Sequence, residues 1–128
     1  MAFVIRRRLL HHAGPCQHLH GHSARALIRL ELEALNELGM VCDFADLGGF
    51  IKDWLEREFD HTMLLHSDDP LLPLLCAAGE RCRVLDCNPT AENIARLIFD
   101  AVAQANFPVV EVTLYETASA CATYRRCS

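Results

Sequence analysis

The sequence predicts an α+β domain of two layers, in which two helices cover one face of a four-stranded antiparallel sheet. Three observations predict this class. Apolar and polar residues alternate over a long run that begins at His20, two later segments carry apolar residues at helical spacing, and short runs of β-forming residues lie near both ends of the chain. The predicted order is ββααββ, and the 128 residues are expected to form one domain over residues 1–128.

Two strands are predicted in the N-terminal part of the chain, over residues 2–11 and from His20 to about Leu35, with a turn at 13–15 between them. In the second run, alternation separates an apolar face from a charged face. The apolar set is Ala24, Ala26, Ile28, Leu30 and Leu32, and the charged set is Arg25, Arg29, Glu31 and Glu33. Because a strand of this length is unusual, we expect a bulge or a hairpin within it.

Two helices are predicted over residues 45–59 and 90–105, where apolar residues recur at the spacing of one helix face. Asp43 or Asp46 can cap the first helix, and Thr90 can cap the second.

The remaining segments complete the predicted order. Residues 62–88 contain two prolines and an Ala-Gly pair, so we expect mostly loop there. Two further strands are predicted, at Val109–Thr117 and at about 120–126. The sheet face that the helices leave uncovered is predicted to pack against a sister subunit.

Composition limits the compartment and the partners. The net charge of −5, without a long basic run, argues against nucleic acid as the main partner. No apolar stretch reaches the roughly 18 residues of a membrane span, and the N-terminal charges follow the apolar residues, the reverse of a signal peptide. Seven cysteines without a Cys-x-x-Cys motif indicate reduced thiols and a cytoplasmic protein.

Two histidines with one residue between them form the first candidate site. On a strand, His20 and His22 share a face with the apolar set, so their rings point toward one place. Neutral imidazole binds zinc, and a catalytic zinc has three protein ligands and one open position. The pair indicates a zinc site or, in the plainer interpretation, two partly buried histidines without a metal.

Three further positions could carry chemistry. Glu116 shares the parity of the apolar residues of its strand and is either an acceptor for two adjacent N–H groups of a ligand or an ion-paired glutamate. Asp60 can hold the neighbouring His61 in one tautomer and raise its basicity, although such pairs also occur by chance. Cys16 is a base or nucleophile if a nearby cation or metal lowers its pKa, and otherwise a loop thiol.

Five short motifs, in this order, resemble one family over nearly the whole chain. They are Cys16-x-x-x-His20-Gly21-His22-Ser23, Gly39-Met40-Val41-x-Asp43-Phe44, Asp60-His61, Pro89-Thr90-Ala91-Glu92-Asn93 and Tyr115-Glu116-Thr117. The chain is similar to the 6-pyruvoyltetrahydropterin synthases and 6-carboxytetrahydropterin synthases. The form of the first motif is most similar to the bacterial 6-carboxytetrahydropterin synthases of the queuosine pathway.

This resemblance implies a tunnelling fold (T-fold), whose subunits close their sheets into a β-barrel as a trimer and stack as a hexamer, with active sites between subunits. It implies a lyase that converts 7,8-dihydroneopterin triphosphate to 6-carboxytetrahydropterin. By position, His20 and His22 become zinc ligands, and Cys16, Asp60 and His61 become catalytic groups. Glu116 would anchor the pterin ring through its 2-amino and ring N–H groups.

One position departs from the family pattern. Family members usually carry a third zinc histidine on the first strand, and an ungapped comparison places Arg7 there. Arginine stays protonated and cannot ligate zinc. Three outcomes are open: His11, or less readily His12, supplies the ligand after a change of register; two histidines and water hold a weakly bound zinc; or Arg7 replaces the metal with a fixed positive charge.

Two functional hypotheses follow. The first is a zinc-assisted pterin lyase. The second is a divergent paralogue with Arg7 in place of the histidine, which acts on another pterin in the manner of a 6-pyruvoyltetrahydropterin synthase or binds a pterin without turnover.

Overall fold

The fold is described from a computed structural model, which describes residues 2–14 and 18–126. Its elements, in chain order, are β1 (Ala2–Arg7), β2 (His20–Leu30), α1 (Phe44–Glu58), β3 (Thr62–His66), α2 (Leu71–Ala77), β4 (Cys82–Leu85), α3 (Ala91–Gln104), β5 (Val109–Tyr115) and β6 (Cys121–Arg125). No helix among these described residues is long and apolar enough to cross a membrane.

The strands form one six-stranded sheet in the order β4-β3-β1-β2-β5-β6. The pairs β1–β2, β2–β5 and β5–β6 are antiparallel, as predicted, and these four strands are those that the sequence indicated. Strand β3 adds to β1 in parallel, and β4 adds to β3 in parallel. The α+β class is confirmed, but the sheet has two more strands and the fold one more helix than predicted.

The missed elements all lie in residues 62–88, where the prediction of mostly loop was wrong. Residues of β3 are buried on both faces, so the strand reads as a continuous apolar run without alternation. Helix α2 tolerates its prolines because Pro70 precedes the helix and Pro73 lies in the first turn. Backbone N–H groups in the first turn have no partner within the helix, so a missing N–H costs little there.

Strand β2 ends five residues earlier than predicted. Its pairing with β5 shifts register between Arg29 and Leu30, which is the irregularity expected for so long a run. After the shift, the backbone N–H of Glu31 donates to the carbonyl of Pro108 at 3.0 Å, and the chain leaves the sheet.

Both long helices begin at the predicted caps. The Asp43 carboxylate accepts from the N–H of Ala45 at 2.9 Å, which selects Asp43 rather than Asp46. The Thr90 hydroxyl accepts from the N–H of Asn93 at 3.1 Å. Each cap satisfies one of the N–H groups that a helix start leaves unpaired.

Helices α1 and α3 join one buried cluster with the inward-facing strand residues. Phe59, fully buried just after α1, contacts the Trp54 ring edge-to-face with centroids 4.9 Å apart. On β2, Ala24 and Ala26 face this cluster while Arg25 is exposed, which confirms the predicted alternation. The same alternation extends the inward face of β2 toward His22 and His20.

An ion pair between the partly buried Arg8 and the buried Asp69 joins the residue after β1 to the start of α2. Arg8 donates to both carboxylate oxygens of Asp69, with Nε 2.6 Å from Oδ2, and Oδ1 also accepts from the N–H of Leu71 at 2.9 Å. Burial alone would raise the pKa of Asp69, but these hydrogen bonds and the Arg8 charge outweigh it and hold the pKa below its usual range.

Acid should therefore weaken the fold through Asp69. Because the folded-state pKa lies below the unfolded value of about 4, the carboxylate stabilises the fold above that pH, and the stabilisation is lost as pH falls through the folded value. We expect Asp69→Asn to lower the free energy of unfolding by about 2–3 kcal/mol at neutral pH. Urea unfolding at a series of pH values should also show a smaller loss of stability in acid for this variant than for the wild-type protein.

The matched control is Glu31→Gln, which breaks a pair with Arg29 whose side chains are both more than half exposed. We expect less than about 0.5 kcal/mol there. Equal effects of the two substitutions would contradict the assignment to Asp69.

Candidate active site

A buried arginine lies at the centre of the candidate site. The antiparallel register of β1 and β2 places Arg7 opposite His20 and Ile5 opposite His22. Arg7 is only 2% exposed. Its Nη1 donates to the Pro89 carbonyl at 2.8 Å, and its Nη2 forms an ion pair with Oε1 of Glu116.

Glu116 reaches this arginine from the turn that follows β5. The strand ends at Tyr115, so Glu116 lies just beyond it rather than within it as predicted. Its backbone N–H donates to the carbonyl of Ala120 at 2.9 Å, which fixes the turn into β6. The side chain keeps the inward parity of Leu114 and is about a quarter exposed.

The two histidines lie together on the inward face of β2, half-buried, as their spacing predicts. Their ring centroids are 5.1 Å apart in an edge-to-face arrangement. His20 Nδ1 lies 2.8 Å from the carbonyl of His18, which can only accept, so Nδ1 carries the hydrogen and Nε2 carries the lone pair. That Nε2 accepts from Arg7 Nε at 3.4 Å.

The surroundings of His22 favour its neutral form. Burial lowers the pKa of His22, the Arg7 charge lowers it further, and Glu116 opposes both. Between the histidines, Gly21 lies close to β1: a Cβ there would be 3.2 Å from the Ile5 carbonyl oxygen, so a larger residue would require the two strands to shift slightly apart.

A cavity of about 220 Å³ opens beside the Arg7–Glu116 pair. Its lining consists of Arg7, Leu9, Thr90, Ala91, Glu92, Glu116, Ala120, Cys121 and Ala122. An ionised carboxylate has about four lone-pair sites, so the bond from Arg7 leaves Glu116 able to accept further N–H groups.

Asp60 and His61 form a contact of their own outside this cavity. Asp60 Oδ1 lies 3.1 Å from His61 Nδ1 and also accepts from the N–H of Val4 at 2.8 Å. The His61 side chain is 72% exposed, and its backbone has a positive φ of 54°. The structure thus places the predicted carboxylate–imidazole pair together, but away from the lining of the Arg7 cavity within one subunit.

The other predicted site residues are not in the cluster. His11 lies in a turn after β1 and is exposed, with a φ of 67°, so the register change that would make it a ligand is not present. His12 is exposed as well, and its Nδ1 accepts from the N–H of Gly14. Cys16 lies outside the described residues.

The family model for 6-pyruvoyl tetrahydropterin synthase matches residues 1–127. The chain belongs to this family. A 6-carboxy-5,6,7,8-tetrahydropterin synthase from Rickettsia conorii is 34% identical over 122 residues, covering 90% of this chain and 88% of the relative. The enzyme of the same name from Aquifex aeolicus is 30% identical and covers 86% and 75%.

Solved structures agree on the fold. An uncharacterised protein from Wolinella succinogenes aligns with a TM-score of 0.80 at 24% identity, covering 98% of this chain and 94% of the other. The 6-pyruvoyl tetrahydropterin synthase of Plasmodium vivax aligns with a TM-score of 0.74 at 19% identity, covering 98% and 91%. The T-fold and the synthase-like lyase class predicted from the sequence are confirmed.

For this member of the 6-pyruvoyl tetrahydropterin synthase family, the residues around Arg7 do not fit a three-ligand zinc site. Arg7 occupies the position beside His20 where a third ligand would lie, and its Nε–H uses the lone pair that a metal would need. Among residues 2–14 and 18–126, no three His, Cys, Asp or Glu side chains are grouped so that they could hold a metal.

Sequence reasoning missed two features of this site. The first is the ion pair between Arg7 and Glu116. The available signal was that both residues share the inward parity, and a buried charge needs a partner of opposite sign. The second is the Pro89 carbonyl, a backbone acceptor that no side-chain pattern reveals.

Proposed function

We propose that the chain is a pterin lyase that converts 7,8-dihydroneopterin triphosphate, or a close relative, to 6-carboxytetrahydropterin. One water is consumed, and triphosphate and acetaldehyde leave. The observation that carries the proposal is Glu116, a partly exposed carboxylate at the edge of a cavity, in a chain 34% identical to a protein named for that product.

In this proposal Glu116 binds the heterocycle. The 2-amino group and the adjacent ring N–H of a pterin are two donors side by side, and one carboxylate can accept both. Arg7 holds the carboxylate from the buried side and so orients it toward the cavity. A carboxylate fixed in advance loses less conformational entropy when the ligand binds.

We assign proton transfer to Cys16, Asp60 and His61. The contact between Asp60 Oδ1 and His61 Nδ1 favours the tautomer with the hydrogen on Nδ1, which leaves Nε2 able to accept a proton. Cys16 would act as a thiolate and provide the second proton-transfer group. Together, these acid–base groups would move protons between the side chain of the pterin and its ring.

We further propose that the site is completed between subunits of a homotrimer or hexamer. His61 supports this, because its ring projects into solvent away from the cavity of its own chain. A neighbouring subunit's cavity could therefore receive it. We place the enzyme in the cytoplasm, because all described cysteines are free thiols. We also propose the queuosine pathway, which the resemblance of the first sequence motif implies.

The test is incubation of the purified full-length protein with 7,8-dihydroneopterin triphosphate. We expect acetaldehyde and 6-carboxytetrahydropterin in equal amounts, with the first measured by coupled alcohol dehydrogenase and the second by mass spectrometry. Formation of a pyruvoyl pterin without acetaldehyde would instead identify an enzyme that does not cleave the carbon–carbon bond.

A second candidate is a pterin-binding protein without turnover, which the buried Arg7 favours. If the family's chemistry requires a Lewis acid, a guanidinium cannot supply it, because it polarises oxygen less strongly than a divalent metal. This candidate predicts saturable quenching of pterin fluorescence with no product of either kind.

A further inference from the structure

Four polar side chains lie together where β1 ends and β2 begins. They are the guanidinium of Arg7, the imidazoles of His20 and His22, and the carboxylate of Glu116. The guanidinium is 2% exposed and contacts His20, Pro89 and Glu116. We propose that Arg7 is a positioning residue that takes the place of a metal ion, so that His20 and His22 bind no zinc in this protein and the site carries a built-in monovalent cation instead.

The first argument is the lone pair of His20. The His18 carbonyl fixes the hydrogen on Nδ1, which leaves Nε2 as the only nitrogen of that ring that could ligate a metal. Arg7 Nε–H lies 3.4 Å from Nε2 and donates to it. A zinc ion at Nε2 would have to displace a buried side chain that is held at two further points.

The second argument is charge. Arg7 is protonated at every working pH, and Glu116 balances it within the cluster. The carboxylate that could help to hold a divalent ion is therefore already paired with a fixed cation, which would repel a metal ion bound beside it. Glu92 also lines the cavity, but its side chain is exposed, so water screens its charge.

The third argument is what Arg7 does in place of the metal. Arg7, the last residue of β1, makes three hydrogen bonds to other parts of the chain. They connect it to His20 on β2, to Pro89 before α3 and to Glu116 in the β5–β6 turn. A metal at this position would tie together only the elements that carry its ligands. Arg7 therefore fixes both the ring of His20 and the carboxylate of Glu116 without any cofactor.

The experiment measures zinc in the full-length protein, expressed with added zinc and then purified. Because the cysteines can also bind zinc, zinc is assigned to this site only if it is absent from the His20→Ala variant. For the wild-type protein we expect less than about 0.1 such ion per subunit, and no shift of Tm on addition of a chelator. For Arg7→His, which supplies a third imidazole opposite His20, we expect roughly one zinc per subunit, the stoichiometry of a single catalytic site.

Two variants complete the design. Arg7→Gln removes the charge without adding an imidazole and should take up less zinc than Arg7→His. Combining Arg7→His with His22→Ala should remove the gained zinc. Circular dichroism establishes whether each variant is folded. If Arg7→His does not fold, the zinc content of the wild-type protein still tests whether His20 and His22 bind zinc.

A wild-type protein that carries about one zinc per subunit, lost on His20→Ala, would overturn the proposal. So would a folded Arg7→His variant that gains none. Neither outcome depends on pterin turnover, so this inference and the proposed lyase activity can fail separately.

Discussion

Glu116→Ala is expected to weaken binding of a dihydropterin at least about 100-fold, because two charge-assisted hydrogen bonds to the ring are lost together. The same substitution leaves the buried Arg7 guanidinium without its counter-ion. We therefore also expect a loss of about 3–5 kcal/mol in the free energy of unfolding. Fluorescence titration with 7,8-dihydroneopterin measures the first effect, and urea unfolding measures the second.

Controls must separate lost recognition from lost stability. Glu116→Gln keeps an acceptor for Arg7 but can no longer accept two N–H groups side by side, so it should be more stable than the alanine variant and still bind poorly. Glu92→Ala changes an exposed carboxylate on the same cavity and should alter neither property much. A folded Glu116→Gln variant that binds with wild-type affinity would exclude Glu116 as the anchor.

Cys16→Ala is expected to lower kcat for acetaldehyde release by about 10²- to 10⁴-fold, the usual contribution of a positioned acid–base group. The dissociation constant of the dihydropterin should change little, because the proposed anchor is Glu116. Steady-state kinetics and fluorescence titration on the same preparation measure the two quantities. A parallel loss of binding and turnover would place Cys16 in recognition rather than in proton transfer.

Cys121 provides the matched thiol control. It is an exposed free cysteine that lines the cavity beside Glu116, and nothing in the proposed chemistry uses it. Cys121→Ala should therefore keep wild-type kcat. If Cys121→Ala abolishes turnover and Cys16→Ala does not, the catalytic thiol has been assigned to the wrong residue.

The antiparallel half of the fold was predictable because its sequence signals are local. Apolar and polar residues alternate in β2, and apolar residues form a stripe in α1 and α3. Each pattern arises because the element has one buried face and one solvent-exposed face. Strand β3 has no solvent-exposed face, so its sequence is a continuous apolar run without the two-residue alternation that identifies a strand. The sequence therefore predicts loop over residues 62–88, where the structure has two strands and one helix.

For the candidate site, the alternation of residues along a strand predicts which face each side chain occupies, but not which residues of other strands it contacts. It predicted that His20, His22 and Glu116 face inward from their strands; the structure places both histidine rings together on β2, but Glu116 lies one residue beyond the end of β5 and still reaches Arg7. It could not show that Arg7 pairs with Glu116, because the two are 109 residues apart in sequence and meet only through the order of the strands. The position of Asp60 and His61 relative to the cavity likewise depends on tertiary packing.

The strand order has a consequence for the handling of this protein. Among the described residues, β4 and β6 each pair with a single neighbour, so each outer strand presents a row of backbone amides and carbonyls to solvent. Such rows recruit foreign strands and promote precipitation when a subunit is isolated. In the proposed oligomer, closing the sheets of several copies into a ring would hide both rows. If that oligomer forms, mutations that keep subunits apart should lower solubility as well as activity.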